Sequence, residues 1–90
     1  MAQTSLEASA VVSGKGAQRL RRGSPWCYRT ELVEAPNTRE PGAVVAVVDG
    51  QKNFIGQAFY AQSSPLALRL LTRLRPDVER VDDAFFRRRL

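Results

Sequence analysis

Ninety residues make one small domain, enough to bury about 60–65% of the unfolded chain's surface and too few for two cores. At 43% hydrophobic and 26% charged residues the composition is ordinary and globular, which excludes a disordered or fibrous chain. Fourteen Lys and Arg against nine Asp and Glu leave a net charge of +5, which favours an anionic partner, nucleic acid first among them.

Residues 1–8 carry no period and read as a flexible N-terminus. Ser9-Ala10-Val11-Val12-Ser13 is a short strand candidate, closed by Gly14 and Gly16. Ala17 to Arg22 suits about two helical turns, with Gly23 where a helix end wants positive φ. Ala17 and Leu20 share one face of it, and Lys15, Arg19 and Arg22 share another at offsets of four and three. Pro25 forbids continuation. From Trp26 the period becomes two: Trp26, Tyr28, Thr30 and Leu32 alternate with Cys27, Arg29, Glu31 and Val33, which predicts one strand. Glu34 to Gly42 is a loop, and Ala43 to Val48 is a run apolar on both faces, as in a central strand. Asp49-Gly50 opens a hairpin turn into Phe54–Tyr60, where Gly56 marks a bulge or sharp bend. After the loop Ala61–Pro65 comes a last strand over Leu66–Thr72, with Leu66, Leu68 and Leu70 on one face. The expected fold is mainly β, a small, strongly bent, mostly antiparallel barrel with one short helix after the first strand. Residues 75–90 read as a connector and the start of a linker helix, its acids Asp82 and Asp83 leading and Arg87, Arg88 and Arg89 trailing in accord with the helix dipole. The domain is therefore expected over 9–74.

Signals for catalysis are poor. Without histidine the chain lacks the usual general base and metal ligand, and Ser-His or Cys-His pairs are impossible. Gly14-Lys15-Gly16 lacks the spacing and the Ser or Thr of a phosphate-binding P-loop, and no glycine-rich strand–turn–helix for a dinucleotide or S-adenosylmethionine is present. Asp82-Asp83 reads as capping charge. Cys27, the sole cysteine, gives no disulfide and no cysteine-rich zinc site, fits a reducing compartment, and reads as a small packed hydrophobe. No catalysis, cofactor or metal is expected of this chain. The longest apolar run, Ala43–Val48, is too short to cross a bilayer, a secretory signal is missing, and Glu7 and Ser24-Pro25-Trp26 speak against a transit peptide. The expectation is a cytoplasmic protein without membrane contact.

The basic and aromatic cluster in 15–29 is more informative. Lys15, Arg19 and Arg22 can track phosphates along one side of the helix, with Arg21 beside them, Ser24 offering a hydroxyl and Arg29 a further cation. Like charges at i, i+4 destabilise a helix, so an anion is wanted, and phosphate is the simplest. Aromatic rings near such a patch can stack on splayed bases. In so small a core, however, Trp26, Tyr28 and Tyr60 are expected to be packed inside, with Trp26 under the helix. A protein-interaction barrel that docks an acidic partner through the same cations is the alternative.

The order Lys15-Gly16, Arg19-Leu20, Gly23, Ser24-Pro25-Trp26 and a hydrophobic strand resembles the start of a PUA domain. More narrowly it is similar to the N-terminal PUA domain of S-adenosylmethionine-dependent large-subunit ribosomal RNA 5-methylcytosine methyltransferases. The likeness runs on through Pro41-Gly42, Val44–Val48 with Asp49, Phe54-Ile55-Gly56, Tyr60, Ser64, Leu66, Arg69-Leu70-Leu71 and Phe85-Phe86-Arg87-Arg88-Arg89-Leu90, roughly residues 10–90. Ser24 stands where that family usually has His, and Ala61-Gln62 where it has Asn-Pro. The resemblance implies a pseudo-barrel of five or six strands that binds RNA, ribosomal RNA by expectation, through its first helix and the turn into the second strand. It also implies that S-adenosylmethionine and catalysis belong to a methyltransferase domain beyond this segment, joined in cis or in trans.

Overall fold

The computed structural model describes residues 4–37 and 43–75, together with Ala84 and Arg87, with side chains described from Ser9 onward. The connector and linker helix expected over 75–90 therefore lie outside the described residues, apart from Arg75, Ala84 and Arg87. In chain order the elements are β1 (Thr4–Val12), α1 (Gly14–Arg21), β2 (Trp26–Tyr28), a 3₁₀ turn (Arg29–Glu31), β3 (Leu32–Glu34), β4 (Val44–Val48), β5 (Phe54–Tyr60) and β6 (Leu66–Thr72). They form one six-stranded, strongly curled sheet, an open half-barrel in the order β2-β6-β5-β4-β1-β3.

The apolar run of β4 becomes the centre of this sheet. All five of its residues are buried, and both of its edges are paired, with β5 antiparallel on one side and β1 parallel on the other. The parallel pair needs a long crossover, and the chain between β1 and β4 supplies it with α1, β2 and β3. β1 starts earlier than its apolar segment suggests: Thr4 and Ser5 pair with Val44 and Val45 before a shift in register resumes pairing at Ser9 and Ala46. At Gly56 the sheet folds tightly. A Cβ there would lie 2.5 Å from the Thr72 carbonyl oxygen and 2.7 Å from Leu70 Cδ1, so only glycine admits the approach of β6. The register of β5 against β6 shifts in the next step, between Gln57 and Ala58. Gln57, fully buried, donates from Nε2 to the Leu74 carbonyl at 2.9 Å.

The helix uses one face for the core. Gly16, Ala17 and Leu20 are buried against a cluster that includes Val12, Cys27, Val45, Ile55, Leu68 and Leu70. The opposite face carries the cations.

The single strand expected over Trp26–Val33 is two. It breaks at Arg29–Glu31 for polar reasons that hydrophobic alternation does not register. The Arg29 N–H donates to the Pro65 carbonyl at 2.7 Å, and the Ser13 N–H donates to the Glu31 carbonyl at 2.8 Å. The Glu31 carboxylate accepts the Tyr28 N–H at 3.0 Å. These bonds pull the chain into a 3₁₀ turn. Beyond it the phase is lost: Leu32 is half-buried and Val33 is exposed.

The break also decides which way β2 faces. Cys27, opposite the buried Leu68, takes the inward position, so Trp26 and Tyr28 point outward. The expectation that Trp26 packs under the helix is thus wrong, and so is the same expectation for Tyr28; they are 39% and 46% exposed. Tyr60, the third aromatic of that set, is buried as expected.

Candidate nucleic-acid interface

The helix that carries the cations is fixed at both ends by local bonds. Ser13 is its N-cap, its Oγ accepting the Gly16 N–H at 3.1 Å. At the other end Gly23 takes φ +117°, its N–H donates to the Leu20 carbonyl, and the Ser24 N–H reaches back to the Arg19 carbonyl, each at 3.2 Å. That is the Schellman arrangement, in which a left-handed residue closes the last turn. Arg73 from beyond β6 adds a guanidinium bond to the Leu20 carbonyl at 2.9 Å. The Ser24 hydroxyl accepts the Trp26 N–H at 3.3 Å, so it shapes the turn that launches β2.

Two grooves flank the polar face of α1. The first is lined by Lys15, Gln18, Arg19 and Arg22 from the helix side and by Tyr28 at the end of β2 with Thr30 and Glu31 of the 3₁₀ turn. Arg19 forms an ion pair with Glu31 and lies over the Tyr28 ring, its Cζ 4.9 Å from the centroid. Lys15 and Arg22 are exposed and have no ion-pair partner among the described residues. The compensation that the like-charged stripe needs is therefore partly internal: Glu31 answers Arg19, and Lys15 and Arg22 stay open to solvent.

The second groove lies between α1 and the β4–β5 turn, lined by Ala17, Gln18, Arg21, Arg22, Asp49 and Gln51 among others. Arg21 donates to Asp49 Oδ2 at 2.9 Å. Asp49 also organises its own turn, with Oδ1 accepting the N–H of Gln51 and of Asn53, both at 2.9 Å. The Asn53 N–H and the Arg21 guanidinium hold the Asp49 carboxyl down at a pKa of about 2. Arg21 is thus separated from the other helix cations and bound to the hairpin.

Arg29 is placed differently again. Its Nε donates to the Ser64 carbonyl at 2.9 Å, a terminal nitrogen donates to the Ala61 carbonyl, and its Cζ lies 5.9 Å from the centre of the Tyr60 ring. The guanidinium ties the 3₁₀ turn to the β5–β6 loop. Cys27 is buried, and burial raises its thiol pKa against a smaller opposing effect of Arg19. A protonated, enclosed thiol serves packing.

Of the six residues singled out in the sequence, Lys15, Arg19 and Arg22 share one groove, Arg21 faces the other, Ser24 sits in the turn and Arg29 in the loop bridge. The sequence reading missed Glu31, Tyr28 and Thr30 as groove residues. It also left out Ser13, although a serine ahead of a helical run is an N-cap signal.

A family model for PUA-like domains matches residues 11–73 of this chain. The chain belongs to the PUA-like domain family. Over 79 residues it is 34% identical to a ribosomal RNA large subunit methyltransferase of Deinococcus radiodurans, an alignment that takes in 88% of this chain and 19% of that protein. It is 28% identical over 85 residues to ribosomal RNA large subunit methyltransferase I of Alteromonas mediterranea, covering 94% of this chain and 21% of the relative. The PUA-like chain thus spans about a fifth of the length of the curated relatives it matches. A solved structure assigned as a methyltransferase and crystallised with SAH superposes with a TM-score of 0.58 at 18% identity, over 76% of this chain and 17% of that one. At that identity the superposition speaks for the fold alone.

Proposed function

We propose that this PUA-like domain binds RNA and serves as the N-terminal targeting part of a ribosomal RNA methyltransferase, supplying affinity and orientation without chemistry of its own. The observation that carries the reading is the first groove, where Lys15, Arg19 and Arg22 meet one carboxylate, Glu31. Lys15 and Arg22 sit about two helical turns apart on the same face, so each can take a phosphate of one backbone, and Arg19 can take a third if it leaves Glu31.

Two or three phosphate contacts give weak, micromolar binding with little sequence preference. Linked to a catalytic domain, weak binding is enough, because a tether holds the second site at an effective concentration of about millimolar. In this proposal S-adenosylmethionine and the methyl-transfer residues belong to that other domain, in cis or in trans, and the enzyme works in the cytoplasm. The names of the two bacterial relatives favour ribosomal RNA as the target.

Titrating the chain into a labelled RNA hairpin over a range of salt tests the reading. Each neutralised phosphate adds about 0.7–0.9 to the slope of log affinity against log salt, so two or three contacts give an expected slope of roughly −1.4 to −2.7. A flat salt response contradicts it. Complete displacement of the RNA by a small acidic protein at matched ionic strength would favour a protein-docking barrel instead.

A further inference from the structure

The two grooves account for the cations of α1 and leave the outward face of β2 unexplained. There Trp26, the only tryptophan of the chain, and Tyr28 stand side by side on a three-residue edge strand, both well exposed. Arginines accompany both. Arg69, opposite Trp26 on β6, lies with its Cζ 5.4 Å from the Trp26 ring centre, as Arg19 does at 4.9 Å over Tyr28. Fold stability gives no reason for this. With 39% of Trp26 and 46% of Tyr28 in water, the rings give up a large part of the burial for which small domains use them, and the same strand buries Cys27 where a ring could have gone. A flat ring with a guanidinium beside it suits a flat anionic ligand, offering a π surface and a charge for the attached phosphate.

We infer that Trp26, flanked by Tyr28 and Arg69, is a stacking platform for an unpaired nucleobase of the RNA whose backbone runs along α1. This rests on the RNA-binding reading and adds the kind of RNA element. Within a duplex both faces of each base are already covered by its neighbours, so a protein ring can take only a base that is splayed out of a loop, bulge or end. Trp26 and Tyr28 are about 6.6 Å apart along the strand, a spacing within reach of one nucleotide and its neighbour. Tyr28 lines the phosphate groove, so the two surfaces are continuous. The ligand class is therefore a helix with an unpaired nucleotide beside it: phosphates of the stem or junction on Lys15 and Arg22, the free base on Trp26.

Because Trp26 is the only tryptophan, its emission reports this contact directly. The 90-residue chain is titrated at low salt with an RNA hairpin whose loop is a non-nucleotide linker and which carries a short single-stranded extension, and with the same hairpin made blunt, so that the extension holds the only unpaired bases. The extended RNA is expected to quench Trp26 and the blunt one to bind more weakly without quenching. By anisotropy of labelled RNA, Trp26→Leu should lose about 5- to 150-fold in affinity for the extended hairpin, the effect of one stacked base, with the blunt hairpin unaffected. Trp26→Phe, which keeps a ring, should recover most of that loss. Should Trp26→Leu fail to fold, the wild-type emission still decides. Equal affinity for the two hairpins, or equal quenching by both, overturns the platform while leaving RNA binding intact. Failure of both RNAs to bind at low salt overturns the RNA-binding reading, and the platform with it.

Discussion

Replacing Glu31 by glutamine should improve RNA binding while weakening the fold slightly. Glu31 is the one carboxylate lining the first groove, and it does two jobs: Oε1 accepts the Tyr28 N–H and Oε2 holds Arg19. A glutamine keeps an acceptor for Tyr28 and drops the charge. For stability, the lost pair is one between side chains 38% and 13% exposed, a class that contributes at most about 1 kcal/mol. The melting temperature should fall by no more than ~4–8 °C for a domain of this size. For binding, two effects point the same way: a carboxylate no longer repels phosphate at close range, about 1 kcal/mol at ~4 Å in water, and Arg19 is released. Affinity at low salt should rise roughly fivefold, and the salt slope should steepen by about 0.7–0.9. Anisotropy with a labelled hairpin between roughly 50 and 200 mM salt measures both. The control is Glu34→Gln on β3, which changes net charge equally but lies outside both grooves. If the two variants bind alike, or Glu31→Gln binds more weakly, phosphate does not sit in this groove.

Gly56→Ala should be among the most damaging small substitutions, costing at least the upper part of ~1–3 kcal/mol, because its methyl would meet the Thr72 carbonyl oxygen at 2.5 Å; an unchanged urea midpoint would contradict the tight fold of β5 on β6. Asp49, depressed to a pKa of about 2 from 3.8, stabilises the fold above about pH 4, and that contribution disappears as pH falls from about 4 to 2; acid titrations should show a shallower decline across this window for Asp49→Asn. Arg29→Gln should lower stability by about 1–3 kcal/mol by leaving the Ser64 and Ala61 carbonyls unpaired, with the RNA salt slope nearly unchanged; a slope that drops by a full phosphate would make Arg29 a binding residue instead.

How far the sequence alone reaches depends on which force sets each feature. Apolar burial sets β4, β5 and β6, and their runs at Val44–Val48, Phe54–Tyr60 and Leu66–Thr72 were legible nearly to the residue. Local backbone chemistry sets the end of α1, and Gly23 announced it. The segment Trp26–Val33 was misread because its geometry comes from polar groups distant in sequence. Pro65 and Ser64 capture Arg29 from across the β5–β6 loop, and Ser13 captures Glu31. Alternation allows either phase for β2, and only the partner strand, with Leu68 opposite Cys27, selects the one that turns Trp26 out. The same limit holds for the site. Helical spacing joined Lys15, Arg19 and Arg22 correctly, since they share one element. Nothing in that spacing could show that Glu31 and Asp49 would arrive from elsewhere to neutralise Arg19 and Arg21.

The central claim is that phosphate is taken by the open cations of the first groove and not by net charge alone. The most direct test compares the salt slope of Lys15→Gln/Arg22→Gln with that of Lys52→Gln/Arg75→Gln, a pair outside both grooves that removes the same charge. The groove pair should lower the slope magnitude by about 1.4–1.8, two phosphates' worth, and the other pair by less than about half a phosphate. Equal losses from the two pairs would contradict the claim.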